Sequence, residues 1–546
     1  LKGEQIFELA PLAVFADAEV TDGEGSRSPA VELFLRAARA ARPDFAGSAD
    51  ELADVVAICQ ALDGLPLAVE LAAAQLRYVP LGYIRTHMSV NTALGGDELR
   101  DRPAHQNSVT DTVEWSYRLL TPTEQRLLRC LSVLSGAWSL EDAAAVSEVT
   151  DSATTLRGVA GLVDKSLVVR ADTGATEPGF TMLHVIREYA RDRLEEAGEA
   201  REIRLRHADH VATVTRDFEQ QWWTDLGKAA VADLGKRYPS VLDALEFSFA
   251  DGDPLVGAAI TADLHIWWPR SGYHVDGRRF AALAFNHIED LDQSVAALLN
   301  LCVGMLAFMK RDLSTARHHW QLAVDQTLAE PSGRYHILAI CDVAATSIGR
   351  PDEFDDALEM AAEGLARARA LGEARLLANC LNVYGELSRV GGRLDLAKEA
   401  YIEALELNRA LGDEQNEAIV EANLGHAATA LGDYREALGH SRRALVLSSE
   451  LGDRVMAAWT ISELGLPLLG VGEADRAAFL VGGSESALNV LQAHRGPGDQ
   501  PSFEQGISAL VAELGQERFD ELFEAGAAVA LDQCAALALE TLSDLT

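Results

Sequence analysis

The chain is short of basic residues. Its 47 Lys and Arg stand against 84 Asp and Glu, a formal net charge of −37. Gripping nucleic-acid phosphates takes Lys and Arg in excess, so this balance argues against direct nucleic-acid binding. Cysteine is scarce as well: Cys59, Cys130, Cys302, Cys341, Cys380 and Cys534 are scattered and never form a CxxC pair. They read as small buried hydrophobes of a reduced compartment, not as metal ligands or disulfide partners. No apolar run approaches the ~20 residues of a membrane span, and no charged-then-apolar leader starts at Leu1. A cytoplasmic chain with no membrane contact is expected, and its start reads as internal to something longer. A phosphate-binding loop, GxxxxGK followed by Ser or Thr, is missing too. The only Gly-Lys pairs, Gly227-Lys228 and Gly235-Lys236, lack both the spacing and the following hydroxyl residue. Nor is there an acidic strand end suited to magnesium. ATP hydrolysis by this chain alone is not expected, and no catalytic or metal-binding residue is assigned.

What the sequence does have is helix. At 546 residues, with 48% hydrophobic and 24% charged content, the chain is globular and too long for one core. Roughly 150 residues per domain gives three or four units. Residues 1–12 read as a short strand and its exit loop. Helices are expected from Ser28-Pro29 onward and over Ser48 to Leu62. Then comes Ala61 to Arg77, ALDGLPLAVELAAAQLR. Gly64-Leu65-Pro66 signals a turn, Pro66 sits where a first-turn proline is tolerated, and Leu67, Leu71, Ala74 and Gln75 fall at helical spacing. On these residues alone the stretch is a proline-started core helix.

Further along, Thr121, Pro122 and Glu124 form a capping box ahead of an apolar face of Leu127, Leu128, Leu131 and Leu134. A helix over Thr154 to Val163 precedes a hairpin that pairs Leu167-Val168-Val169 with Phe180-Thr181-Met182 around a Gly-rich turn. Helix, helix, helix, hairpin is a winged-helix arrangement. Residues 101–170 hold nine Asp/Glu against seven Arg/Lys, which offers no basic recognition face. A packing role therefore stands ahead of DNA reading. Residues 196–290 read as helical, and Trp222-Trp223, Trp267-Trp268 and Tyr273 are either a ligand box or, as paired aromatics more often are, core packing between helices.

From about residue 295 a 40-residue period sets in. Leu371-Gly372-Glu373, Leu411-Gly412-Asp413 and Leu451-Gly452-Asp453 recur, as do Gly392, Gly432 and Gly472, and Ala397, Ala437 and Ala477. Ala357 and Ala316 extend the series backwards, so five copies are visible. Each copy reads helix, Gly-containing turn, helix, with the alanine allowing close approach. Such hairpins resemble tetratricopeptide repeats, with helices longer than the usual unit allows. Stacked copies would form a superhelix with a concave surface. Residues 351–470 carry 21 acidic and 11 basic side chains, so that surface is expected to suit a basic peptide or a partner protein better than an anion. His318 and His319 point to different helix sides, which argues against metal.

The first 195 residues also resemble a known family. GLPLA at 64–68, with SPAVELF before it, is similar to the NB-ARC nucleotide-binding switch domain of plant resistance proteins, apoptotic scaffolds and large bacterial regulators of the STAND class. In that family the Gly-x-Pro turn lies against the adenine of ADP or ATP, which would make Gly64 and Pro66 nucleotide contacts. Met182-Leu183-His184 resembles the family's Met-His-Asp motif, whose histidine reaches a phosphate. Here Leu183 stands for that histidine and His184 for the acid, so His184 is either a nucleotide contact or a plain interface histidine. The resemblance implies ADP or ATP only together with an NTPase core upstream of Leu1, and no cofactor for this chain alone. The closing segment is similar to the end of the array in actinobacterial regulators of this type. In many of these a LuxR-type helix-turn-helix follows, and none is present before Thr546.

The resulting expectation is a mainly α chain: an NB-ARC helical subdomain and winged helix followed by a tetratricopeptide-like α-solenoid. The end of an NTPase core plus the helical subdomain would occupy 1–104, the winged helix 105–195, and a helical linker domain 196–294. The repeats would fill 295–480 and a helical cap 481–546. It would act as the sensor and switch portion of a nucleotide-regulated transcriptional regulator, not as an enzyme. A protein or small-molecule effector would bind the repeats, with self-association on activation as a further implied interaction. Two alternatives stay open: a nucleotide-independent tetratricopeptide scaffold, and the regulatory tail of a multidomain enzyme such as a nucleotide cyclase.

Overall fold

The computed structural model describes residues 12, 28–62, 64–86, 112–149, 151–171, 179–348, 350–491, 493, 495 and 498–545. The strand expected before Leu12 and the hairpin turn at 172–178 lie outside them. Two compact units emerge: residues up to Thr213 with Leu234–Val256, and Val214–Asp233 with Gly257–Thr546.

In the first unit, helix Ala49–Ala61 starts on a capping box, with Glu51 N donating to Ser48 Oγ at 3.4 Å and Ser48 N donating to Glu51 Oε2 at 2.8 Å. Gly64 then turns the chain at φ 64°, in the left-handed region that a Cβ would disfavour. Pro66 opens helix Pro66–Ala74. That helix is apolar on two sides. Ala68, Val69, Ala72 and Ala73 join Phe34 and Ile58 in one core. Leu71 turns the other way, into a core with Leu128, Leu131 and Ile186. Full burial of one leucine contributes about 1.5–3 kcal/mol, so this short helix is fixed by packing and not by length.

Helices Pro122–Leu131, Leu140–Ser147 and Ser152–Asp164 precede two antiparallel strands, β1 (Val169–Ala171) and β2 (Gly179–Thr181). Thr121 and Ser139 each close a capping box. Trp138 exchanges two backbone hydrogen bonds of 2.8 Å with Phe180, which ties the second helix's entry to β2. The first strand begins two residues later than its apolar run suggested. Leu167 and Val168 are 1% exposed, and their amides return to the Leu162 carbonyl, so the run marks the sealed end of a helix. Met182 likewise lies just past β2 and is buried.

The second unit carries five successive helical hairpins. They are Gln293–Met309 with Leu313–Gln326, Arg334–Ala345 with Phe354–Leu371, Ala374–Val390 with Leu394–Leu411, Glu414–Leu431 with Tyr434–Glu450, and Arg454–Ser462 and Gly465–Gly470 with Ala474–Val490. Helices Gln500–Leu514, Gln516–Ala527 and Leu531–Leu545 close the array through Leu510, Phe519 and Leu542. The repeated Gly-Asp pair explains the sharp corners. Gly412 and Gly452 end their helices at φ 61° and 68°. Asp413 and Asp453 then accept from the amides of Asn416 and Met456 at 3.2 and 2.9 Å, starting the next helix. The periodic alanines Ala316, Ala357, Ala397, Ala437 and Ala477 are all buried, as a close helix pair requires. Among the described residues no single helix is long and apolar enough to cross a membrane.

Candidate ligand cavity in the helical repeats

All six cysteines are free and buried. Burial pushes the Cys59 thiol up to about 12 and those of Cys130 and Cys534 up to about 11. Cys341 and Cys380 meet at 3.3 Å between neighbouring helices, a proximity their 39-residue spacing did not reveal.

The polar chemistry concentrates in a cavity of about 280 Å³ within the second unit. The first helices of successive hairpins build one wall with side chains at helical i, i+4 spacing. Leu301, Met305 and Met309 come from the first, and Leu338 and Asp342 from the second. Asn379 and Asn382 come from the third and Asn416 and Ile419 from the fourth. The facing wall is Trp222, Trp223, His265 and Arg270.

One carboxylate organises the charged end. Asp413, which caps helix Glu414–Leu431, accepts from Arg270 Nη2 at 2.7 Å and Arg375 Nη1 at 2.6 Å. Both guanidiniums lie over the Trp222 ring, 4.4 and 4.2 Å from its centroid. Side-chain exposure is 18% for Arg270, 3% for Arg375 and 4% for Asp413, so the cluster is dry and its attractions are little screened. Burial pulls both arginine pKa values down and Asp413 only partly restores them. Arg375 is left with Nε and Nη2 buried and unpartnered, and Asn408 with an unpartnered Oδ1. Asp342, on the same helix wall as Arg375, is buried with no ion-pair partner among the described residues, and desolvation raises its carboxyl to about 8.

The paired tryptophans are buried, as expected for core residues, yet Trp222 and Trp223 also wall the cavity. Tyr273 is instead 43% exposed. The acidic count over 351–470 does not describe the cavity, because those carboxylates lie mostly on other faces. Signals for the site were present in the sequence: a charged Arg375 in the first turn of a repeat helix, and helix-disfavoured asparagines at 379, 382 and 416.

The three residues assigned to nucleotide lie in the first unit. Gly64 is buried, with its N–H donating to the Cys59 carbonyl at 3.0 Å and its carbonyl accepting from Leu12 N at 3.0 Å. Pro66 is exposed at the helix start. His184 opens helix His184–Glu196 with its side chain 75% exposed, 3.4 Å from an Arg187 nitrogen.

Residues 120–195 match a family model described as a winged helix-turn-helix domain. The three helices and the β1–β2 ribbon are therefore a winged helix. On its third helix the exposed positions are Ser152, Ala153, Thr154, Leu156, Arg157, Ala160 and Asp164, and Arg157 is engaged by the Ala153 carbonyl and Thr154 hydroxyl of its own helix. Asp164, the last residue of this third helix, pairs with Arg77 at 2.9 Å. A Mycobacterium tuberculosis protein named only as uncharacterized is 34% identical over 214 residues, covering 39% of this chain and 51% of its own. A second M. tuberculosis protein, provisionally named an HTH-type transcriptional regulator, is 27% identical over 441 residues, covering 78% of this chain and 44% of its own. The chain thus spans about half the length of the curated relatives it matches. Among solved structures, a Signal Transduction ATPase with Numerous Domains protein with a tetratricopeptide repeat sensor, from Pyrococcus horikoshii, is similar at 16% identity and a TM-score of 0.48. That match covers 94% of this chain and 74% of the other.

Proposed function

We propose that this chain is the sensor and switch portion of a signal-transducing transcriptional regulator, and that the repeat cavity takes its effector. The observation that carries this reading is the preformed cavity itself: an apolar wall, amide side chains from three repeat helices, and two guanidiniums that share one carboxylate. Concave, largely apolar sites with a few converging polar groups are the usual form of a small-ligand site. The similarity to an HTH-type regulator supports the regulatory half of the proposal. On the winged helix, the exposed face of the third helix offers one arginine already engaged, which fits a packing role better than phosphate contact.

Nucleotide control enters through the resemblance: ADP held at Gly64 and Pro66 by an upstream core would favour a closed state. The effector would then shift the balance by binding the two states unequally. A nucleotide-independent repeat scaffold is the second reading. It is favoured by one observation, the commitment of helix Pro66–Ala74 to two hydrophobic cores, which accounts for GLPLA without a ligand. Denaturing a native full-length parent and identifying the released small molecules separates the two. ADP or ATP should be recovered from a parent that carries a phosphate-binding loop, and their absence would leave the scaffold reading standing.

A further inference from the structure

The cavity's ionisable lining is unbalanced. It comprises Arg270, Arg375, His265 and Asp342, with Asp413 behind the two arginines. Asp413 is one carboxylate shared between two cations. Asp342 is held protonated by burial at neutral pH and adds no negative charge. Glu219 is buried beside His265 and Trp223, away from the arginine pair, so among the described residues one of the two guanidiniums has no carboxylate of its own, in a site where screening is weak. Arg375 is 3% exposed, and its Nε and Nη2 have no acceptor. Beyond this end the wall is apolar, formed by Leu301, Met305, Met309 and Leu338.

We propose that the cavity binds a small amphiphile carrying one carboxylate on an apolar body, the carboxylate on the Arg270–Arg375 pair and the body against the leucine and methionine wall. This rests on the sensor reading of the same cavity and adds the chemistry of the effector. The unpartnered Arg375 nitrogens are sealed off, so Arg270, the more exposed of the pair, presents its guanidinium to the planar carboxylate while the Arg375 charge strengthens the field behind it. Such a group could come from a free organic acid or from the C-terminus of an apolar peptide.

The test is calorimetric titration of the whole chain at pH 7 with octanoate, octanamide and octylamine, and with acetyl-trileucine as free acid and as amide. Octanoate should bind about tenfold or more tighter than octanamide, the scale of one charge-assisted contact. Octylamine should not compete. If the peptide acid is the tighter acid, the source is a peptide terminus; if octanoate is, the source is a free acid. Equal binding of acid and amide, or tighter binding of octylamine, overturns the proposal. Arg375→Gln should erase the preference for acid over amide. Should that variant fail to fold, Met309→Glu, at a 43% exposed wall position, should weaken octanoate at least tenfold and leave octanamide within threefold. No binding of any probe, with a ligand lacking a carboxylate released on denaturation, overturns the carboxylate but keeps the sensor reading. No binding and no released ligand overturns both.

Discussion

Asp413→Asn removes one charge and almost nothing else. Asparagine is as good an N-cap as aspartate, so helix Glu414–Leu431 keeps its start through the Asn416 amide. What disappears is the one counterion that two arginines have among the described residues, one 3% and one 18% exposed. Removing one partner of a buried ion pair costs about 3–5 kcal/mol, because the remaining charge stays in a poorly solvating site. At roughly 2 °C per kcal/mol for a unit of this size, the melting temperature of the repeat unit should fall by about 6–10 °C. Urea and thermal melts of the whole chain, followed by circular dichroism and tryptophan fluorescence, read this directly. Asp413→Ala should lose about 1 kcal/mol more, the worth of the cap. Octanoate should raise the melting temperature of Asp413→Asn further than that of the wild type, since the variant holds two uncompensated cations. An Asp413→Asn protein within about 1 kcal/mol of the wild type would refute the claim that this cluster is dry and charge-coupled.

Asp342→Asn tests the cavity's own carboxyl by pH. The folded-state carboxyl sits at about 8, above its unfolded value, so its contribution is fully present below about pH 4 and is lost as pH rises toward 8. The variant should match the wild type near pH 4 and exceed it at pH 8 by up to about 5 kcal/mol, read as a flattened stability–pH curve. Leu71→Ala should cost about 2–5 kcal/mol and loosen the winged-helix core, seen as faster amide exchange in helices Pro122–Leu131 and His184–Glu196. Gly385→Ala would bring a Cβ to 2.7 Å from the Tyr401 ring and should destabilise by about 1–3 kcal/mol in urea melts. Gly439→Ala, with nothing within 4 Å, should be neutral or stabilising by about 0.5–1 kcal/mol. Iodoacetamide should label none of the six buried thiols over minutes in the native chain and all six in urea.

Local chemistry was legible in the sequence and long-range chemistry was not. The capping box at Thr121, the helix start at Ser48, the proline start at Pro66 and the Leu-Gly-Asp corners each act within about four residues, and each appears where its pattern stands. The apolar run Leu167-Val168-Val169 misled by two positions, because hydrophobicity reports burial and the backbone there was closing a helix. The cavity escaped for a different reason. Trp222, Arg270, Arg375 and Asp413 are separated by 38 residues or more, and only the stacking of hairpins brings them together. Counting charge over 351–470 pooled every helix face, and none of those carboxylates lines the cavity, so the count said nothing of its lining. The GLPLA resemblance, for its part, located a turn and a helix, and packing adds that the helix serves two cores at once.

That shared helix limits how the first unit can move. With Leu71 embedded on one side and Val69 and Ala72 on the other, helix Pro66–Ala74 works as a rivet between two plates. Swinging the plates apart would strip apolar surface from both sides of one short rod, so a motion through this joint is costly in either direction. A signal that reaches either plate is therefore passed on as a rigid displacement of the pair, and compliance has to come from segments that join them to the rest of the chain.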